Sequence, residues 1–484
     1  MADLLLLPVL LPLAGAVATA VLPGRRTVGL TVAAAQLGLA VAAVVAVLRD
    51  GPLRGSPGGW EPPLGIALRL DGLGAAVGLL AAVVVLAVLA HAAARPGAAG
   101  GPSAWPLTLV TVAGLQAVLV SGDLFTTYVA LELMTVGAVG LVALGGRRAL
   151  APALRYLCVA VLGSFAFLVA VALVHARTGT LTLELAAGAL PPGPALGAAL
   201  ALATVGLGVK AALAPLHAWL PDAHAAAPTT VSPLLSALVV KGSLVVLVRL
   251  WSALGGHAGL AVVLAVLGSA AVLWGGVLAL RQDRLKRLVA YSTVAQVGYL
   301  VLLLPLALPA LDPAAPDGAR TGALLAWEGA LLLLLAHGLA KAALFLAAGT
   351  LVGVAGGDRV ADLAGTATRA PMVVLTFGVA GACLAGLPPS LGFAGKWRML
   401  EGAVTSGAWW AVAVLLVGGL LTASATARVL GVALRPDPDP AAGRRGVPAG
   451  ARWPALTLAV LAVGTGVGSA WLVDLLLVGA VPAG

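Results

Sequence analysis

Apolar runs long enough to cross a lipid bilayer follow one another along almost the whole chain, separated by short loops. Hydrophobic residues make up 61% of the 484 residues and charged residues 10%, whereas a soluble domain is about half apolar and about a quarter charged. A membrane span needs roughly 20 residues, so a chain of this length accommodates about 14 spans with their loops. The sequence therefore predicts an all-α, multi-pass integral membrane protein.

The apolar runs can be delimited from the charged and Gly/Pro-rich segments between them. The predicted spans cover 3–22, 28–48, 71–94, 105–121, 124–145, 153–175, 196–220, 229–251, 258–280, 288–308, 321–354, 371–397, 408–434 and 454–480. The first span has no basic segment before it and no clear small-residue cleavage site, so we expect it not to be a removable signal peptide. The eleventh span is long enough to tilt or to hold one span and a loop.

Basic residues favour one orientation of these spans. The net charge is +10, but the charge is scattered over the loops, so membrane topology explains it better than nucleic-acid binding does. If both termini are outside, the cytoplasmic loops hold 17 basic residues and the outer loops seven, and the remaining four of the 28 lie inside spans. Because cytoplasmic loops carry the excess of Lys and Arg, we expect a cell-membrane protein with both termini outside.

Lysine is concentrated inside the spans. Five of the 28 Lys and Arg residues are lysine, and four of these lie in apolar sequence: Lys210, Lys241, Lys341 and Lys396. A charged group at the centre of a bilayer costs roughly 3 kcal/mol or more, and lysine, unlike arginine, gives up its proton when it is desolvated. We interpret the four lysines as groups that carry protons. The alternative is that they extend to the membrane interface, which suits Lys396 best.

Two of these lysines lie beside helix-breaking prolines. Span seven contains Pro215 and Lys210, and span twelve contains Pro388, Pro389 and Lys396 in CLAGLPPSLGFAGKW. A proline inside a helix removes a hydrogen bond and kinks or breaks the helix. Since the spans are five apart, the two broken helices run in opposite directions. Discontinuous helices at corresponding positions of inverted repeats indicate a transport site.

Two further titratable groups suit a proton path. Glu132 is the only acidic residue of the fifth span; it is either a protonated packing group or the partner of Lys210, in which case pairing and unpairing would change how firmly the lysine holds its proton. His337 and Lys341 share a helix face, so an imidazole could pass a proton to the lysine, or the histidine is structural.

The tenth span adds a polar stripe, a pattern that usually packs helices and sometimes holds water: Tyr291, Ser292, Thr293 and Gln296.

Three polar residues surround the turn between spans seven and eight. His217, Asp222 and His224 occur in PLHAWLPDAHAAAP, where they form a polar access from the cytoplasm or cap the helix ends around the prolines; a metal site is the weaker alternative.

We find no phosphate-binding loop, dinucleotide fingerprint or iron–sulfur cysteine run. The chain is therefore expected to bind no cofactor, no metal and no nucleic acid.

These residues lie in motifs that resemble those of a known family. The run VKAALAPLHAWLPDAHAAAPTTVSPLLSALVVKG resembles the central signature of the antiporter-like membrane subunits of respiratory complex I, membrane-bound hydrogenases and Mrp-type cation/proton antiporters. The resemblance continues in LKRLVAYSTVAQVGYL, HGLAKAALFLAAG and GLPPSLGFAGKW, and it covers roughly residues 105–430. Four motifs in the same order make the match specific.

The resemblance implies a fold and a set of pathway residues. The implied fold has fourteen spans and two inverted five-helix repeats, with three spans in 1–104, the first repeat in 105–252, the second in 253–435, and a loop and last span in 436–484. It pairs Glu132 with Lys210 and continues the path through Lys241, His337, Lys341 and Lys396. Two departures, in KGSLVVLVR and PPSLGF, replace no titratable group.

The resemblance also implies a function. Lysines at positions 341 and 396 favour the D-type member of an Mrp antiporter or a hydrogenase-type subunit. We expect a proton-translocating subunit of a complex with other membrane subunits, in which sodium exchange stays open. The alternatives are the proton-pumping membrane subunit of an NADH-quinone oxidoreductase or membrane-bound hydrogenase, and a membrane scaffold that transports nothing.

Overall fold

The computed structural model describes residues 2–191, 193–312, 314–436 and 447–479, and almost all of these are helical. The helices are α1 (Ala2–Val21), α2 (Arg25–Asp50), α3 (Gly72–Ala94), α4 (Ala104–Val120), α5 (Leu124–Ala143), α6 (Leu150–Thr178), α7 (Leu183–Ala189), α8 (Pro194–Lys210), α9 (Trp219–Ala226), α10 (Val231–Leu234), α11 (Val240–Leu254), α12 (Ala258–Arg281), α13 (Leu285–Val301), α14 (Leu303–Ala307), α15 (Asp317–Ala355), α16 (Thr366–Arg369), α17 (Pro371–Ala385), α18 (Leu391–Thr405), α19 (Trp409–Ala433), α20 (Ala449–Val467) and α21 (Ala470–Leu477). Strands β1 (Leu53–Gly55) and β2 (Leu68–Leu70) form an antiparallel hairpin.

The helices long enough to cross a membrane coincide with the predicted spans. Within the described residues, ten helical stretches have the necessary length and apolar character, and α1, α4, α8 and α17 are shorter apolar helices. Each of these overlaps one predicted span, so the all-α, multi-pass architecture is confirmed. The predicted loop 436–450 lies mostly outside the described residues, as do Arg444 and Arg445, which belong to the predicted cytoplasmic charge.

One long helix runs through the middle of the protein. Helix α15 has 39 residues, which corresponds to about 58 Å at 1.5 Å per residue, nearly twice the hydrocarbon thickness of roughly 30 Å. The sequence left open whether this region holds a tilted span or a span and a loop; the structure has one continuous helix. It is buried without interruption from Gly329 to Leu351 and packs against α3, α13, α17, α18 and α20.

Both predicted helix breaks are present. Helix α8 ends at Lys210, and α9 begins only at Trp219, whose indole N–H donates to the carbonyl of Val209 at 2.9 Å. Helix α17 ends before Gly386, which has a φ of 89°, a conformation that favours glycine. Each break leaves carbonyl groups without their partners inside the helix, so polar side chains can bind there.

The two sets of five spans have the same internal packing. In the first set, α4 contacts α5, α5 contacts α6, α6 contacts α8, and α11 contacts both α8 and α4. In the second set, α12 contacts α13, α13 contacts α15, α15 contacts α17, and α19 contacts both α17 and α12. Because spans seven and twelve run in opposite directions, the second set is an inverted copy of the first.

Glycines let the two most extensively packed helices approach each other closely. A Cβ atom on Gly322 of α15 would lie 2.6 Å from the carbonyl oxygen of Gly402 on α18, and one on Gly402 would lie 2.4 Å from that of Gly322. Further along the same contact, Gly329 and Gly395 meet in the same way. Small residues at helix contacts of this kind are typical of membrane proteins.

We predict that Gly402→Ala destabilises the protein, because the added methyl group overlaps the backbone of α15. Overpacking of this kind typically costs about 1–3 kcal/mol. Thermal unfolding of the detergent-extracted protein should show a lower midpoint. The matched control is Gly431→Ala on α19, where no atom lies within 4 Å of the new Cβ; its midpoint should not fall. Equal midpoints for the two variants would contradict the close packing of α15 on α18.

Candidate functional site

The first helix break brings a lysine, a glutamate and two hydroxyl groups together. Lys210 is the last residue of α8, and its side chain is almost fully buried. Its Nζ lies 3.0 Å from Oε1 of Glu132 on α5 and donates to Oγ1 of Thr135 at 2.9 Å. The hydroxyl of Ser164 on α6 donates to the same glutamate oxygen. The structure thus places Glu132 and Lys210 in an ion pair between spans five and seven.

A π-helical turn positions the second lysine. The eighth span contains such a turn at Leu235–Val239, between α10 and α11, and π-turns occur frequently at functional sites. Lys241 follows directly and is fully buried; its Nζ donates to the carbonyl of Ser236 at 2.7 Å. The same Nζ lies 2.5 Å from Nδ1 of His337 on α15. Lys241 and His337 are therefore in direct contact at the centre of the bundle.

The third lysine lies one turn further along α15. Lys341 is fully buried, and its Nζ donates to the carbonyl of Val289 at 2.8 Å and to the hydroxyl of Ser292, both on α13. His337 and Lys341 are on the same face of α15, as their spacing predicts. The Nε2 atom of His337 has no hydrogen-bond partner among the described residues, so the imidazole has one free nitrogen.

The second helix break holds the fourth lysine. Lys396 on α18 donates to the carbonyl oxygens of Leu384 and Ala385, at 2.8 and 3.3 Å, at the end of α17. Its Nζ also lies 4.4 Å from the ring centre of Tyr299, where a cation is attracted by the aromatic face. Lys396 does not extend to the membrane interface here, because its side chain turns back into the break.

The polar stripe of α13 connects the last three lysines. Thr293 hydrogen-bonds at 3.0 Å to the hydroxyl of Ser236, the residue whose carbonyl accepts from Lys241. Ser292 accepts from Lys341. Gln296 donates at 3.3 Å to the carbonyl of Leu384, which also accepts from Lys396. Spacing alone identified this stripe but favoured a packing role; the structure shows that it touches each lysine environment in turn.

The Glu132–Lys210 pair stands apart from this connected set. Among the described residues, no hydrogen bond joins Lys210 to Lys241. The contact between α11, which carries Lys241, and α5, which carries Glu132, is apolar at Gly242, where a Cβ would meet the side chain of Met134 at 3.1 Å. The site therefore consists of one ion pair and one row of buried polar groups along α13 and α15, and no hydrogen bond joins Lys210 to that row among the described residues.

The three polar residues of the turn after span seven do not converge. Asp222 is on the surface and pairs with Arg155 at 2.6 Å and with Arg287 at 3.9 Å. The ring of His217 packs edge-on against Tyr291. His224 is fully buried and stacks on an aromatic ring of α15. In this arrangement the three side chains do not form a ligand set for a metal.

Sequence reasoning missed a buried ion pair elsewhere. Asp71 caps α3 by accepting from the backbone N–H of Gly74 at 2.8 Å. Arg249 on α11 contacts both carboxylate oxygens, at 2.8 and 3.1 Å, and donates to the carbonyl of Leu119 on α4 at 2.8 Å. An aspartate before an apolar run signals a helix cap, but nothing in the sequence indicates a partner far along the chain. This pair joins α3, α4 and α11.

The arrangement defines a class of protein. Buried lysines at two helix breaks and one π-turn, connected by hydroxyl, amide and imidazole groups, are suited to passing protons and to little other chemistry. The protein is a multi-pass membrane subunit of the antiporter-like type. The profile of the family described as NADH:quinone oxidoreductase/Mrp antiporter, transmembrane region, matches residues 121–422. This is more than half of the chain, and the chain belongs to that family.

Sequence relatives from both branches of the family are similar over most of their length. The chain is 39% identical over 441 residues to the N subunit of the NADH-quinone oxidoreductase of Desulforudis audaxviator, covering 86% of this chain and 85% of the relative. It is 26% identical over 440 residues to the D subunit of the Na(+)/H(+) antiporter of Bacillus subtilis, covering 89% and 86%.

A solved structure has the same fold throughout. A chain of the Mrp complex from a Dietzia species superimposes with a TM-score of 0.87 and 28% identity, covering 100% of this chain and 97% of that one. The relatives are thus subunits of multisubunit Mrp and NADH-quinone oxidoreductase assemblies. Since the whole chain is covered, the likeness includes the spans that flank the two repeats.

We predict that Arg249→Met destabilises the protein strongly, because it leaves the buried carboxylate of Asp71 without its partner. Breaking a buried ion pair in this way costs about 3–5 kcal/mol. Asp71→Asn keeps an oxygen to cap α3 but removes the charge, so adding it to Arg249→Met should restore part of the stability. Interacting residues typically deviate from additivity by about 0.5–3 kcal/mol. Denaturant unfolding of the four proteins in detergent measures this difference; simple addition of the two losses would show that the pair contributes nothing.

Proposed function

We propose that this chain translocates protons across the cell membrane as one subunit of a multisubunit complex. The observation that carries the proposal is the row of buried polar groups from Lys241 to Lys396, which lie along successive turns of α15 and α13 and are hydrogen-bonded around each lysine. Burying ionisable groups in a membrane costs free energy, and a scaffold that transports nothing would not need such groups. The non-transporting alternative is therefore disfavoured.

The route follows the order of the lysines. Protons enter from the cytoplasm near the turn after span seven, at His217, Asp222 and His224, and load Lys210. They pass across Lys241, His337 and Lys341, and leave on the outer side near Lys396. Lys210 is held by Glu132 at 3.0 Å and has no hydrogen bond to the other lysines, so opening and closing of the Glu132–Lys210 contact acts as the switch between loading and onward transfer.

We infer that both termini are outside. Contacts among the loops support this orientation, since loops assigned to one side meet each other. Arg284 and Arg359, in two predicted cytoplasmic loops, form a β-bridge. At the opposite end, Arg69 of β2 donates to the carbonyl of Gly479 near the C-terminus at 2.6 Å. The positive-inside rule then assigns the first of these ends to the cytoplasm.

We also infer the division of the chain into 1–104, 105–252, 253–435 and 436–484. The matching helix contacts in the two sets of five spans support the inner boundaries. In this division the proton-loading pair belongs to the first repeat, and His337, Lys341 and Lys396 belong to the second. Lys241 lies at their junction, where it contacts a residue of the second repeat.

Two driving reactions are candidates. The lysines at 341 and 396, together with the Mrp relatives, support a D-type member of an Mrp antiporter, which exchanges protons for a cation such as sodium. The higher identity to the N subunit of an NADH-quinone oxidoreductase, 39% against 26%, supports the second candidate, a proton pump driven by redox chemistry on partner subunits.

We predict that Lys210→Ala abolishes proton transport while the complex still assembles. The alanine cannot hold a proton, and it fits the space at the end of α8 without a clash. Transport is measured with a pH-sensitive dye in vesicles that contain the assembled complex, and assembly by co-purification of the companions. The control is Arg148→Ala, which removes an exposed charge and should leave transport unchanged. Undiminished proton flux in Lys210→Ala would refute the route.

The companions of this chain decide between the driving reactions. Extraction in mild detergent, isolation of the complex and mass spectrometry identify them. Companions with iron–sulfur, flavin or nickel-binding sequences would make this chain the pumping part of a redox enzyme. A set of small hydrophobic companions alone would make it part of an antiporter. A chain that purifies without any companion would contradict its proposed place in a complex.

A further inference from the structure

The proposed route leaves out the fifth lysine. Lys286 is the second residue of α13, and the sequence places it in a loop with ordinary surface arginines. In the structure its side chain is only partly exposed, and its Nζ donates to the carbonyl of Ala227 at 2.8 Å. Like Lys241, Lys341 and Lys396, it donates to a backbone carbonyl rather than to a carboxylate. Every lysine of this chain is thus turned into the protein.

A buried histidine lies just before that carbonyl in the chain. His224 has no exposed surface, and its ring stacks on Phe345 of α15 with 4.5 Å between ring centres. Neither ring nitrogen has a hydrogen-bond partner among the described residues. Buried polar atoms normally have a partner, so an imidazole with two free nitrogens is placed for a purpose other than packing.

The spacing of residues along α15 places His224 beside Lys341. His337, Lys341 and Phe345 follow each other at intervals of four residues, so they share one face and lie about 6 Å apart along the axis. The first two belong to the chain of transfer groups already described. Since His224 covers Phe345, it occupies the next turn of the same face, on the side of Lys341 away from His337.

The register of α13 gives the same result independently. Lys341 donates to the carbonyl of Val289, and Lys286 is three residues before Val289, about one helical turn nearer the start of α13. Lys286 donates to the carbonyl of Ala227, three residues after His224. The three groups therefore follow one another from the proposed cytoplasmic end of α13 towards the centre.

We propose that Lys286 and His224 form a second cytoplasmic inlet, which branches from the turn after span seven and delivers protons directly to Lys341 rather than to Lys210. The inference rests on the proposed function. Lys286 exchanges protons with cytoplasmic water. A proton from its ammonium binds the unprotonated ring nitrogen of His224, and the proton on the other ring nitrogen passes to the neutral amine of Lys341. One proton moves inward, and no other bond changes.

Asp222 and Arg287 mark the rim of this inlet and not its path. Their contact at 3.9 Å lies on the surface, beside the partly exposed Lys286. The second repeat would therefore have its own supply of protons. The Lys210 turn would then serve the first repeat, where the switching ion pair is.

Two substitutions test the inlet with little change in shape. Lys286→Arg keeps a positive charge that can still donate to Ala227, but arginine does not give up its proton. His224→Phe keeps the ring stacked on Phe345 and removes both nitrogens. The matched control is Arg284→Gln, an exposed residue in the same loop whose ion pair with Asp358 is long, at 3.6 Å. Co-purification of companions checks that each variant complex assembles.

The measurement is the initial rate of proton uptake from the cytoplasmic side of vesicles that contain the assembled complex, at several cytoplasmic pH values. Lys286→Arg and His224→Phe should both lower the rate by about tenfold or more at alkaline pH, as expected when a positioned proton carrier is lost. The loss should shrink as the pH falls, so the apparent KM for protons rises while the maximal rate changes little. Arg284→Gln should behave like the wild type.

The outcomes distinguish failure of the proposed inlet from failure of the proposed function on which it rests. Lys341→Met should stop transport; if it does not, the proposed function itself is wrong. If Lys341→Met stops transport but Lys286→Arg and His224→Phe have wild-type rates at every pH, protons reach Lys341 by another way and the inlet is overturned. A normal Lys286→Arg with an impaired Lys286→Met would show that the charge alone matters, which also overturns it.

Discussion

The structure depends on satisfying lysine ammonium groups in the interior of a membrane protein. An ammonium has three protons to donate, whereas the carbonyls of an unbroken helix are already bound within the helix, and only Lys341 shares one of these, the carbonyl of Val289 inside α13. The chain supplies acceptors where helices are interrupted. Lys396 uses the carbonyls at the end of α17, and Lys241 uses a carbonyl at the π-turn of its own span. The lysines and the irregularities of the helices therefore belong together.

Prolines and glycines place these irregularities without opening the bundle to lipid. Pro215 and the Pro388–Pro389 pair end regular helix within spans seven and twelve, and non-helical backbone at membrane depth is tolerated only where protein surrounds it. The long α15 supplies that surrounding. It packs on α17 and α18, and its glycines bring it against the backbone of α18. The break that holds Lys396 is thus enclosed by the helix that carries His337 and Lys341.

Features that depend on local composition could be predicted from the sequence, whereas features that depend on which helices become neighbours could not. Spans, breaks and the four lysines inside them depend on local composition, and spacing sufficed to find them; Glu132 and Lys210 were matched because few other charges exist at that depth. The π-turn at Leu235–Val239 has no such signature, since its residues suit an ordinary helix equally well. The Asp71–Arg249 pair and the linking role of α13 depend on which helices become neighbours. That follows from the packing of the whole chain and not from local patterns.

The partners of the lysines divide them into two kinds. Among the described residues, Lys210 alone has a carboxylate partner, whereas Lys241, Lys286, Lys341 and Lys396 donate to neutral backbone carbonyls. A carboxylate favours the charged lysine through Coulomb attraction that weakens with distance, so movement of Glu132 can change the charge state of Lys210. A carbonyl fixed in the backbone gives no comparable control. In the proposed function, a driving event in partner subunits would therefore act most directly on the Glu132–Lys210 pair, and the remaining lysines would respond to the protons that reach them.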